Sequence, residues 1–171
     1  MSWTDAAVAD RLTAAFERIH RERMAGLPIL QPGLAVAVVG ARAWRGHWLG
    51  VLVTPWCMNL VLVPAVGSDL ARDAEGMTWA LSFPAGRFEF LVSTVEGLGT
   101  IAACSLFSPM HAFADQAAAE ATAAAVMTTL FQSAEEPGGP GDAAGRPPAA
   151  PTRVGISRRQ LLRGSFGADG T

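Results

Sequence analysis

The residues able to do covalent or metal chemistry are few and scattered. Cys57 and Cys104 lie far apart and form no Cys-x-x-Cys pair, so their spacing signals neither a zinc site nor a disulfide framework. His20, His47 and His111 have no second ligand three or four positions away, which argues against a metal centre. There is no nucleophile elbow and no paired-carboxylate motif. The glycines of "VVGARAWRG" have the wrong spacing for a dinucleotide loop and lead into strand pattern, not helix. The expectation is a protein that binds and does not catalyse, with no catalytic residue, metal or cofactor.

Binding chemistry is better represented. Trp44, Trp48 and Trp56 fall close together around "VTPW", and Trp, Met and Arg are the side chains that anchor interfaces. Each Trp alone reads as core, and Trp48 in an alternating strand would pack on a helix. Trp56, beside Pro55 at a strand end and next to Cys57 and Met58, reads equally well as displayed. Cys104 lies in the strand of "CSLFSP", where a cysteine is more often a buried small apolar residue than a reactive thiol. In the same string Ser108 before Pro109 is a helix-cap candidate.

The second binding string is "GISRRQLLRGSF", residues 155 to 166. It reads like a twin-arginine export signal, which places two guanidinium groups before an apolar segment. Such signals work from the N-terminus ahead of a membrane-inserting stretch, and here only "QLLRGSFGADGT" follows Arg159. It is therefore expected not to export the chain but to imitate something that does, with Arg158, Arg159, Leu161 and Leu162 as the imitating side chains.

Charge supports a two-part reading. Through residue 136 the chain holds eight Arg against thirteen Asp and Glu, while the remainder holds five Arg against two Asp. An acidic body with a basic tail suits a tail that folds back or competes with a basic partner. Half of the 171 residues are apolar and 16% are charged, which favours a folded domain. The net charge of −2 is too small to argue for nucleic-acid binding, and the clustered arginines lack the interleaved aromatics of a single-strand binder, so no nucleic-acid partner is expected.

These residues need elements to position them. Residues 4 to 25 read as an amphipathic helix, with Thr4 as N-cap, Val8, Leu12, Ala15, Phe16 and Ile19 on one face, and Gly26 with Pro28 ending it. From residue 34 the period changes to two. Strands are expected over 34–44, 47–54, 58–64, 78–83, 87–95 and 100–107, joined by connections mostly too short for crossover helices. The longer connection 65–77 is expected to hold a helical turn or a mobile loop. Residues 111–133 read as a second, Ala-rich helix with Phe113, Ala117, Ala121, Ala124, Thr128 and Phe131 near one face. The fold class is α+β: an antiparallel meander of five or six strands packed with an N-terminal and a C-terminal helix. One domain spans 1–134, and 135–171 is a Pro/Gly/Ala-rich linker with a disordered basic tail. The linker gives the tail a reach of roughly 20 to 30 Å. Residues 46–68 carry no charge and are long enough to span a bilayer, but Pro55, Pro64 and the β-branched runs favour two buried strands joined by a turn. Asp5 and Asp10 replace the basic region of a secretory signal, so the expected location is the cytoplasm.

In order and spacing, "WRGHWLGVLVTPW" (44–56), "PAGRFEF" (84–90), "CSLFSP" (104–109) and the Arg-Arg-x-Leu-Leu segment (158–162) resemble the HybE/HupJ-type accessory proteins of nickel-iron hydrogenase maturation. The resemblance implies a small cytoplasmic chaperone, not an enzyme, that holds the precursor of an exported uptake hydrogenase until assembly is complete. Its implied partner is the small subunit with its twin-arginine signal peptide, with the large subunit and other maturation proteins as further partners. A binder of that signal needs carboxylates beside apolar surface. Glu89 and Glu96 are the candidate carboxylates, and Trp48, Pro55, Trp56, Met58 and Cys104 complete the partner-binding set. On this reading the tail mimics the client signal and occupies the same groove until displaced. Two other readings stand beside it: a redox or Fe-S protecting protein acting through Cys104 or Cys57, and a membrane-associated protein using the 46–68 stretch.

Overall fold

The structure is a computed structural model that describes residues 5–133. The first helix, α1 (Asp5–Ile19), buries Val8, Leu12 and Ala15, three positions of one helical stripe, and continues as a single wider turn over His20–Met24. Gly26 follows with φ 79°, a left-handed conformation that a glycine adopts without strain and that ends the helical run. The expected Thr4 cap lies outside the described residues.

Six strands follow: β1 (Ala37–Trp44), β2 (His47–Val53), β3 (Met58–Val63), β4 (Thr78–Phe83), β5 (Gly86–Val95) and β6 (Gly99–Phe107). All pair antiparallel in the order β1-β2-β3-β6-β5-β4. The sheet is thus two three-stranded meanders, the second returning its last strand to the middle beside β3. The uncharged 46–68 stretch is β2, a turn and β3, and no helix among the described residues is long and apolar enough to cross a membrane. The connection between the meanders does hold a helical turn, Asp69–Arg72, capped by the Ser68 side chain accepting from the Ala71 amide.

The last helix, α2, runs Gln116–Leu130, shorter at its start than the 111–133 that the Ala-rich string suggested. Asp115 is its N-cap, accepting from the Ala118 amide at 2.8 Å, so the cap is Asp115 and not Ser108. Its buried face also differs from the expected one: Ala119, Ala123, Val126, Met127 and Leu130 face the sheet, whereas Ala117, Ala121, Ala124 and Thr128 do not. With alanine on every side, the few bulky residues decide the face.

The two sides of the sheet are covered unequally. Alternation puts Leu49, Val51, Leu60, Phe90, Ala102 and Cys104 on the inner face, against α2. The sheet curls toward that helix until its two edges meet at one corner, where Trp44 at the end of β1 stacks on Phe83 at the end of β4 with ring centroids 4.4 Å apart. On the outer face Trp48, Leu52, Val61, Val95 and Ile101 pack with Val8, Leu12 and Ala15 of α1. Beyond them Thr78, Ala80 and Ser82 of β4, Glu89 and Leu91 of β5 and Ser105 of β6 stay exposed.

Trp48 lies flat along its own strand over Gly50, and its indole N–H donates to the Asp5 carbonyl at 3.0 Å. A Cβ at position 50 would stand 2.7 Å from the far edge of that ring, so the strand needs a glycine there to seat α1. Gly50→Val is predicted to lower stability by about 1–3 kcal/mol, measured by urea unfolding; an unchanged midpoint would show that the indole does not use this seat.

Candidate functional site

The site begins at the turn that joins β2 to β3. Thr54, fully buried, ties it together: its hydroxyl oxygen accepts from the Cys57 amide at 2.9 Å and from the Trp56 amide at 3.3 Å, and its O–H donates to the Cys57 carbonyl at 2.9 Å. Pro55 is buried within the turn, and its carbonyl accepts from the Gln31 amide at 2.8 Å. This fixes Trp56 at the surface, half-buried, with its ring stacked on Phe16 at 6.4 Å and tilted against His20 at 5.7 Å. Cys57 lies underneath, its sulfur in contact with the Thr54 hydroxyl and the Asn59 amide. Burial pushes its thiol pKa up, and those two hydrogen bonds act in the opposite direction. The thiol therefore stays protonated and poorly nucleophilic at neutral pH.

Asn59 leads onto the uncovered outer face. A shallow cavity of about 390 Å³ lies there, lined by Asn59, Thr78, Glu89, Leu91, Ser93, Ala103 and Ser105. The residues are small or polar except Leu91, which is 55% exposed at the centre of β5, and Met77 beside Thr78 is 46% exposed. Glu89 stands opposite Ala80 in the register and has no ion-pair partner among the described residues. Arg87, opposite Ser82, occupies the other end of the same face. The result is an open platform with a carboxylate, an apolar centre and amide and hydroxyl groups.

The expected binding residues are distributed unevenly about this platform. Glu89 lies on it and Trp56 on the turn that leads to it. Glu96 is exposed at the β5–β6 turn, but its carboxylate lies 4.0 Å from the Arg18 guanidinium, which also donates to the Glu96 carbonyl at 3.2 Å. Trp48, Met58 and Cys104 are 5%, 0% and 1% exposed, so they support the site as core and do not present surface to a partner. Arg158, Arg159, Leu161, Leu162 and the 134/135 domain boundary lie outside the described residues. Leu91, Ser93 and Ser105 are not among the expected residues, although the alternation "RFEFLVSTV" already sets Glu89, Leu91 and Ser93 on one face, opposite Phe88, Phe90 and Val92.

A second cavity, of about 500 Å³, opens at the other end of β2 between His47, Pro64, Val66, Leu98 and the start of α1. His47 Nδ1 accepts there from the Ala65 amide at 3.0 Å, and partial burial lowers its pKa, which holds the ring neutral as that bond requires. Among the described residues no group of three or more His, Cys, Asp or Glu could hold a metal ion.

Thr54→Val is predicted to leave the Cys57 and Trp56 amides without an acceptor and to cost about 1–3 kcal/mol, read by denaturant unfolding. The same variant should raise the alkylation rate of Cys57 at pH 8 over that of the parent chain, where both thiols are buried. Equal stability and equal alkylation would contradict this account of the turn.

Known proteins resemble the chain over most of its length. Residues 7–164 match the family described as NiFe-hydrogenase assembly, chaperone, HybE. The chain is 43% identical over 160 residues to hydrogenase expression/formation protein HupJ of Bradyrhizobium diazoefficiens, covering 94% of this chain and 89% of that protein. It is 34% identical over 104 residues to hydrogenase-2 operon protein HybE of Escherichia coli K12, covering 58% of this chain and 62% of that protein. The solution structure of HybE from Escherichia coli has the same fold, with a TM-score of 0.61 at 24% identity, covering 83% of this chain and 91% of that one.

Proposed function

The chain belongs to the HybE family of NiFe-hydrogenase assembly chaperones, and from that premise we propose that it binds the precursor of an exported nickel-iron hydrogenase through the open outer face of its sheet. The client is the small subunit, gripped at its twin-arginine signal peptide, and the chaperone holds it in the cytoplasm until assembly is complete. The protein works by binding and release, without catalytic chemistry.

The observation that carries the reading is the platform at Glu89. A twin-arginine signal presents guanidinium groups followed by apolar side chains. Glu89, without an ion-pair partner among the described residues, lies on the same face of β5 as the exposed Leu91, and both line the shallow cavity. Arginine and carboxylate make charge-assisted, directional hydrogen bonds, whereas lysine offers only a point charge. Trp56, fixed by the Thr54 turn, extends the apolar surface toward α1. The redox alternative gains nothing comparable, because both Cys57 and Cys104 are buried and an external cluster would meet neither thiol without opening the core.

Calorimetric titration of a hydrogenase small-subunit signal peptide into the full chain is the test. Binding should be lost or strongly reduced with a Lys-Lys peptide and weakened about five- to tenfold by Glu89→Gln, the ~1 kcal/mol of an exposed ion pair. No binding of the twin-arginine peptide, or equal binding of the Lys-Lys peptide, would overturn the proposal and move the search to the folded subunits.

A further inference from the structure

We infer that the free edge of β4 is a docking strand for this chain's own residues 157–163, which add to it as a seventh strand with Arg158 and Arg159 on opposite faces. The two edges of the sheet differ in a way that composition alone does not explain. β1 is blunted: its pairing with β2 is interrupted between Val39 and Arg42, and Gly40 there lies against Met127. It also carries the Arg42 guanidinium, over the Phe131 ring at 3.9 Å, and the turn that follows it carries Arg45, over Trp44 at 4.7 Å. Bulges and cationic side chains are the usual protection of an edge against pairing. β4, "TWALSF", has no charge, no proline and an unbroken register with β5 from Thr78 to Phe83. Among the described residues no strand pairs with the outer side of β4, and such an edge offers N–H and C=O groups to an incoming strand.

The surroundings of β4 select a strand that bears two adjacent arginines. Neighbouring residues of a strand point to opposite faces. On the outer face Ala80 is small, and Glu89 lies directly behind it in the register. Two strand spacings, about 10 Å between backbones, is a span that an arginine and a glutamate side chain cover together. On the inner face the Asp73 carboxylate accepts from the Trp79 indole N–H at 2.5 Å through one oxygen, and Asp73 remains half-exposed. Each face at the Thr78 end of β4 thus holds a carboxylate for one arginine. The Phe83 end holds Arg87 and the Arg42–Phe131 pair, which repel a cationic strand and fix where the arginines sit.

The occupant is set by where the described chain ends. The Leu130 carbonyl accepts from the Ala85 amide at 3.1 Å, and the Phe131 ring packs edge-on against Phe83 at 6.0 Å, so the chain leaves α2 beside the end of β4. From Ser133 to Ser157 it has a length that spans roughly 25–30 Å as a coil, which reaches any point on that edge. The segment it delivers, "SRRQLLR", carries three arginines and no acidic residue. At the millimolar effective concentration of such a tether, even weak strand addition is populated. The docking shares Glu89 with the proposed client site, but it stands whether or not a hydrogenase signal binds there.

The test uses the full chain without any client. A spin label on Ser165→Cys reacts selectively because both native thiols are buried. Amide resonances of Thr78–Ser82 should broaden more than those of β1, and the preference should vanish in Arg158→Ala with Arg159→Ala. Hydrogen-exchange protection at the outward amides of β4 should fall about tenfold in the same variant, and Glu89→Gln or Asp73→Asn should each weaken the broadening while leaving the fold unchanged. Broadening no greater at β4 than at β1, or unaffected by loss of the arginines, would overturn the docking. Broadening that appears only between labelled and unlabelled chains would assign the edge to a second copy and overturn it as well.

Discussion

Six strands set side by side are wider than any single helix. At about 4.8 Å per strand the sheet spans about 24 Å, against a helix diameter of about 10 Å. The inner face solves this by curling until Trp44 and Phe83 meet, with α2 packed against the inner face. The outer face is the convex side of the same curl, and α1 seats over Trp48, Leu52 and Val61. What α1 leaves over must be tolerable to water, and its small and polar residues meet that condition. Leu91, and Glu89 with no ion-pair partner among the described residues, go beyond it. The curl and the open platform are therefore consequences of one mismatch in width.

The strands and the two helices are legible in the sequence. Six period-two segments gave six strands, because alternation between a buried and an exposed face leaves its mark on every second residue. The strand order is not legible: β6 and not β4 pairs with β3, after the long connection 64–77 has led to the second meander, and pairing partners are not encoded in local pattern. The face of α2 was misread because alanine fits either side of a helix, so only Val126, Met127 and Leu130 carried the signal. Of the candidate site, Glu89 could be found as a carboxylate in a strand, yet its exposure depends on how far α1 extends across the sheet. Trp48, Met58 and Cys104 illustrate the opposite failure, since residue types that anchor interfaces also fill cores, and here they do the latter.

The buried turn of Thr54 and Cys57 connects these two outcomes. A threonine with no exposure, bonded to two amides and a carbonyl, is an expensive way to end a strand unless the turn must hold something still. What it holds is Trp56, pressed on Phe16 and His20 at the far end of α1. The motif "VTPWC" thus reads as a device that joins α1, the β2–β3 turn and the start of the open face into one rigid surface. For an assembly chaperone such rigidity is useful, because a preformed surface loses little entropy when the client arrives.

The central claim is that the client is read on the open half of the outer face. Chemical-shift mapping of the full chain during addition of a small-subunit signal peptide tests it most directly. The account predicts that the largest shifts fall on Thr78, Glu89, Leu91 and Ser105, with α2 and the inner face unmoved. Shifts confined to the His47 cavity or to α2, with the β5 resonances unchanged, would contradict it.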